Sequence, residues 1–291
     1  MTRLAIRRRF LTRGATVAAA ALLVTACSAD PDRSDNTSSA PITPAHLSYT
    51  LPNDPVRMVL PATGAETRWT QGLDVFGQQV ARATAASCAR KVGIGLPEQI
   101  PVAFIRFFEL PDLDFIARHG LSESAAVPTS AAGPESTRSG SKAAIGRCQD
   151  EGTAALSALR DSYGPLQRAW FTELADLRRG PATVRALGAL PDCLSRHGFQ
   201  VRDEQDFMRL GDARGQTASA ADLPYIEAEM GRAYATCMRP VEAVREPARL
   251  RLRARFCADH ADDIRDLRRT LVPMLRLAEK QHGVRLAFPA P

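Results

Sequence analysis

The chain has little of what marks most enzyme and membrane-channel architectures. Period-two alternation of β-branched residues is scarce along its 291 residues, and no apolar run reaches the roughly 20 residues that span a bilayer. Cys-x-x-Cys, Gly-x-Ser-x-Gly, His-Glu-x-x-His, P-loop and calcium-loop patterns are all missing. These absences count against β-sandwiches and barrels, a spanning helix, a thioredoxin-like centre, and the commonest hydrolase, zinc-protease, nucleotide and calcium sites. One fragment, Ser139-Gly-Ser-Lys142, matches the Ser-x-x-Lys of penicillin-recognising enzymes. Its partner Lys-Thr-Gly is absent, the one Ser-Asp-Asn, Ser34-Asp35-Asn36, falls ahead of it in the tether, and the fragment lies in a low-complexity stretch, so the match is read as chance. A dominant charge is missing too. The formal charge is +6, but Arg3, Arg7, Arg8, Arg9 and Arg13 supply five of the six with no acid in residues 1–26, leaving +1 for the rest. No whole-molecule field for nucleic acid remains.

What is present begins with an address. Arg7-Arg8-Arg9 precedes Phe10-Leu11 and an alanine-rich apolar stretch from Ala15 to Ala26, the basic and apolar regions of an export signal over residues 1–26. Arg-Arg-x-Phe-Leu resembles the twin-arginine consensus, with Ile6 and Thr12 departing from it; an ordinary Sec signal is the rival reading. Val24-Thr25-Ala26-Cys27 resembles a lipobox, an aliphatic residue and two small ones ahead of the cysteine that accepts a diacylglyceryl group. Lipidation at Cys27 is the expectation, and two acyl chains suffice for stable anchoring. Residues 27–50 are read as a flexible tether, of which 28–45 reach on the order of 25 Å. Residues 51–291 form the domain.

Five further cysteines follow, Cys88, Cys148, Cys193, Cys237 and Cys257, and an exported chain favours disulfides among them. Cys193/His197 and Cys257/His260 could instead join as a Cys2His2 metal site; the compartment argues against it, and no metal or cofactor is assigned. Cys88-x4-Gly93-Ile94 and Cys193-x4-Gly198-Phe199 share a pattern. A helix stopped by a left-handed glycine turns the next apolar residue back onto its last turn, close to the cysteine. That similarity favours Cys88–Cys148 and Cys193–Cys237, and with Trp69 and Trp170 upstream it is compatible with a duplicated helical unit. The glycine stop recurs at Gly120 and Gly283. His119, His197 and His282 each precede such a glycine, where an imidazole meets the negative end of the helix dipole. His46 falls in the tether and His260 on a helix flank.

Leu73, Phe76, Val80 and Ala83 recur at helical spacing within 69–92. Helices are expected also over 111–119, 143–162, 165–178, 181–197 with a kink at Pro191, and 218–238. Residues 47–67, rich in proline, read as an extended lead-in, and 122–142 as a low-complexity loop. Phe256, His260, Ile264, Leu267, Leu271, Leu275 and Ala278 form one stripe within a long C-terminal helix at 241–281, bent or broken at Pro247 and Pro273. Arg249, Arg251, Arg253 and Arg255 read as a solvated helix paired with neighbouring acids, rather than a cationic strand. Asp112, Asp114, Asp262 and Asp263 read as surface acids. The fold class expected is all-α, a multi-helix bundle.

The lipobox at Cys27, the two Cys-x4-Gly-apolar motifs, Cys148, and the closing Cys237…Phe256-Cys257…Ile264…Leu267 together resemble a group of uncharacterised secreted lipoproteins of high-GC actinobacteria. The 35 arginines against three lysines fit such a genome. The resemblance spans about residues 69–280. It leaves Cys257 supernumerary, hence a free thiol, and implies an accessory protein of the cell envelope. The function expected is an interaction module at the outer face of the membrane, held by lipid and serving an envelope protein partner. A binding protein for a small or peptidic ligand is the alternative. An envelope enzyme is a remote third, for which no residues can be named.

Overall fold

A helix must satisfy its first N–H groups and its last carbonyls, and much of this architecture follows from where the chain supplies those partners. The structure, a computed structural model, describes residues 40–97, 102–121, 125–127 and 140–290. In chain order its elements are β1 (His46–Ser48), α1 (Val56–Val59), a 3-10 turn (Gly64–Glu66), α2 (Thr67–Val92), α3 (Leu113–His119), α4 (Lys142–Asp161), α5 (Gly164–Arg178), α6 (Pro181–Leu187), α7 (Leu190–Arg196), α8 (Glu204–Thr217), α9 (Leu223–Asp259), α10 (Ala261–His282) and β2 (Phe288–Ala290). The fold is all-α. Asp112, Ser141 and Asp203 cap α3, α4 and α8 by accepting from the backbone N–H three residues on. At the other ends, Gly93, Gly120, Gly198 and Gly283 all take positive φ. The Ile94 N–H donates to the Ala89 carbonyl at 3.0 Å and the Phe199 N–H to the Leu194 carbonyl at 3.0 Å, the backbone closure expected of a glycine-stopped helix.

The apolar interior has two large clusters. The first gathers α1, α2, α5, α10 and the C-terminal third of α9 around Phe76, Trp170, Phe256 and Leu271. The indole N–H of Trp170, wholly buried, donates to the Pro61 carbonyl at 2.9 Å. The second gathers α3, α7, α8 and the N-terminal half of α9 around Phe199, Phe207, Tyr234 and Met238. Helix α9 belongs to both; at 37 residues it is about 55 Å long. A smaller cluster holds Cys88, Ala89 and Cys148, with Ile94 packed on it.

Several boundaries differ from those the sequence suggests. Residues 40–48, assigned above to the tether, are laced to the domain. The Ile42 and Thr43 N–H groups donate to the carbonyls of Pro224 and Arg118, and β1 pairs antiparallel with β2, His46 opposite Ala290. The lead-in holds α1 and the 3-10 turn. Helix α8 falls where none was expected, and 181–197 divides into α6 and α7. Helix α9 continues through Pro240 and Pro247, and α10 through Pro273; the break lies at His260. All three prolines are exposed, as are Thr236, Ala243 and Arg269, whose carbonyls they deprive of a helical donor. Water can serve those carbonyls, so the missing N–H groups leave no buried acceptor unpaired there. Trp69 and Cys88 share one unbroken helix, whereas Trp170 and Cys193 lie on different helices, so the two stretches are not copies of one unit. The leader, Cys27 and Ser139 lie outside the described residues.

Candidate functional site

The cysteines are the first predicted site residues to place. Cys88 near the end of α2 and Cys148 on α4 form one disulfide, with Cα atoms 5.3 Å apart. Cys193 on α7 and Cys237 on α9 form the other, with Cα atoms 5.6 Å apart. Cys257 is free and half-buried, and burial pushes its thiol above the ordinary 9.0. The four-residue Cys193/His197/Cys257/His260 arrangement does not form, because Cys257 packs against the first cluster and Cys193 against the second. A different trio does: the Cys193 and Cys237 sulfurs and a ring nitrogen of the exposed His197 all lie within 4.8 Å of one another.

Between the two large clusters runs a polar seam that the sequence reading missed. Arg245, Arg249 and Arg253 recur every four residues and so share one face of α9. Arg245 and Arg249 are only 2% and 1% exposed, so Arg249 is not on the solvated helix face expected of it; Arg251 and Arg255 are. Arg245 donates to the Glu109 carbonyl at 2.6 Å, and Arg249 to the Ala62 carbonyl at 2.9 Å. Glu242, one turn before Arg245, pairs with both guanidinium groups. Arg253 donates to the Leu60 carbonyl and to Glu66, whose carboxylate also accepts from the Ala62 N–H at 2.8 Å. On the other side, Glu204 accepts from the buried Tyr234 hydroxyl at 2.6 Å and from Arg178, which also reaches the Glu109 carboxylate at 3.0 Å. Burial, then the neighbouring Glu204, raises the Tyr234 hydroxyl well above its ordinary 10.0.

Chemically this seam is a clamp. Its cations are turned onto backbone carbonyls of the 60–62 and 109 turns, so they hold irregular chain against α9. Glu242 answers two buried cations with one negative charge, and the carbonyls of Ala62 and Glu109 accept from both guanidinium groups between them. Arg245 Nε is left without a hydrogen-bond partner among the described residues. The signal that could have revealed it is the four-residue spacing of the arginines, beginning at Arg245 rather than Arg249. Glu227 is likewise buried and accepts from the Leu121 N–H at 2.6 Å, pinning the end of α3 to α9.

The remaining predicted residues have structural partners. Beyond capping α3, Asp112 has Asp114 beside it paired with Arg239 at 2.7 Å; Asp262 pairs with Arg265 at 2.8 Å, and Asp263 approaches His260 at 3.6 Å. Buried His119 donates from Nδ1 to the Thr43 carbonyl, and His282 meets Thr84 at 3.1 Å. Two concavities stand out among the described residues. One, between α2 and α3 beside Arg68, Phe107 and Pro111, has room of about 20 Å³, enough for a single water. The other is an open groove of about 350 Å³ between α5 and α10, lined by Pro165, Leu166, Ala169 and Leu267 together with Asp161, Asp263, Asp266 and His260. Among the described residues no helix is long and apolar enough to cross a membrane. No protein-family model matches the chain, and no curated protein or solved structure shows significant similarity to it.

Proposed function

We propose that the chain is an extracytoplasmic lipoprotein, held at the outer face of the cell membrane by a diacylglyceryl group on Cys27, whose helical domain is an interaction module of a cell-envelope complex. The observation that carries this reading is Val24-Thr25-Ala26-Cys27 directly behind an arginine-led apolar leader. The Cys88–Cys148 and Cys193–Cys237 bridges agree with it, since disulfides persist in oxidising compartments outside the cytosol. Fractionation of cells expressing Cys27→Ala tests the anchor: the variant should leave the membrane fraction, and its retention there would refute attachment by lipid.

A second reading, a binding protein for a small or peptidic ligand, is favoured by the groove between α5 and α10, whose size sits at the lower end of ligand sites. Native mass spectrometry of the protein extracted from membranes separates the two. Co-purification of a protein partner that survives Leu166→Arg supports the module. A retained small mass that Leu166→Arg abolishes supports the ligand.

A further inference from the structure

We propose that Cys193, His197 and Cys237 form a zinc site when their disulfide is reduced, so that the α7–α9 junction can be closed either by a sulfur–sulfur bond or by a metal ion. Cys193 sits in α7 and His197 is four residues on, at the helix end, so the two side chains leave the same face. Cys237 comes from α9 opposite. The two sulfurs and the imidazole nitrogen lie within 4.8 Å of one another. Zinc bonds of about 2.3 Å to sulfur and about 2.0 Å to nitrogen place tetrahedral ligands roughly 3.4–3.8 Å apart, a spacing this trio reaches with small side-chain rotations. The Cα separation of 5.6 Å leaves room for two thiolates on one ion. His197 is exposed, so its ring is free to turn toward the two sulfurs and water can reach the site from its side. The second disulfide differs: among the described residues no histidine or acid joins Cys88 and Cys148 in such a group.

The chemistry balances simply. A dithiol reductant delivers two electrons and two protons, becomes a disulfide itself, and leaves Cys193 and Cys237 as thiols. A zinc ion then displaces both protons and binds two thiolates, the neutral imidazole and one water, giving a centre with no net charge. An oxidant of the disulfide class reverses this, taking two electrons from the thiolates and releasing the metal. A chain that folds in a reducing cytosol before twin-arginine export would pass through the dithiol form.

The test is a Co²⁺ titration of the full-length protein, reduced with a phosphine under anaerobic conditions, followed by absorption spectroscopy. One equivalent should produce thiolate-to-cobalt charge-transfer bands and the visible bands of tetrahedral cobalt, which Zn²⁺ then bleaches. Loss of an outer-shell partner alone weakens metal binding roughly 10–100-fold, so removal of a direct ligand in His197→Ala should weaken it at least that much. His197 is exposed, so this variant is not expected to disturb folding. Cys88→Ser/Cys148→Ser should retain the bands. Absence of charge-transfer bands in the wild type, undiminished affinity in His197→Ala, or loss of the bands in the Cys88/Cys148 variant would each overturn the proposal.

Discussion

Glu242 is the buried carboxylate that faces both Arg245 and Arg249. Removing one partner of a buried ion pair leaves the other charge uncompensated and typically costs about 3–5 kcal/mol. Glu242→Ala should therefore lower stability by about that amount in urea denaturation. The triple change Glu242→Leu, Arg245→Met, Arg249→Met should cost less than the single one, since apolar replacement removes the buried charges together. Equal or larger loss in the triple variant would contradict this assignment. His119 makes a pH prediction. Its Nδ1–H is committed to Thr43 and its buried Nε2 lacks a hydrogen-bond partner, so a second proton would find no acceptor. Burial accordingly lowers its affinity for that proton below the ordinary 6.5. As pH falls through 6.5 the unfolded chain takes up a proton that the native one refuses, so stability present above 6.5 is lost below it. His119→Gln should flatten the urea midpoint between pH 7 and 5. Asp206 acts in a separate window: hydrogen bonds from Arg202, then Arg209, hold it well below 3.8, and the stability it contributes above 3.8 is lost only under stronger acid.

At the scale of elements, legibility follows how much of a segment's signal is local. Helix α2 and the glycine stops at Gly93, Gly120, Gly198 and Gly283 were readable because a periodic apolar face and a left-handed residue are local requirements. The stripe from Ile264 to Ala278 on α10 was readable for the same reason, and its five apolar positions are buried; the break at His260 was not, because 241–281 read as one helix. Helix α8 was not, since Glu204 and Phe207 are its only fully buried residues and its pattern is almost wholly polar. Its one local mark is the Asp203 cap; Asp203→Ala should cost about 1 kcal/mol, read as a lowered thermal midpoint. The three-residue strands were invisible, because β1 meets β2 across some 240 residues and neither is long enough to show a period. Their docking depends on a missing side chain. A Cβ at Gly72 would fall 2.2 Å from the Phe288 ring and 2.4 Å from the Ala287 carbonyl. Gly72→Val should therefore displace β2, costing about 1–3 kcal/mol. Hydrogen exchange should then quicken at residues 46–48 and 286–290, and unchanged exchange there would argue against this docking.

For the whole molecule, the two bridges divide the work. Cys88–Cys148 fastens α4 to α2 beside the first cluster, at a seam where Gly152 already brings the helices so close that a Cβ would lie 2.5 Å from the Ala81 carbonyl. Cys193–Cys237 fastens α7 to α9 within the second. Loops of these lengths give about 4 kcal/mol each in the chain-entropy model. Non-reducing peptide maps should return those two pairs with Cys257 alkylated alone, and a Cys193–Cys257 peptide would contradict them. The buried arginine seam was the least legible feature, because whether an arginine is solvated or clamped onto a turn some 187 residues away depends on the assembled fold, not on its neighbours in sequence. The lipid anchor rests on sequence alone, and it is the claim on which the functional reading stands. Mass spectrometry of the amino-terminal peptide of the membrane-extracted protein tests it directly. The account predicts a chain beginning at Cys27 and carrying a diacylglyceryl mass; an unmodified thiol at that position, or a retained leader, would contradict it.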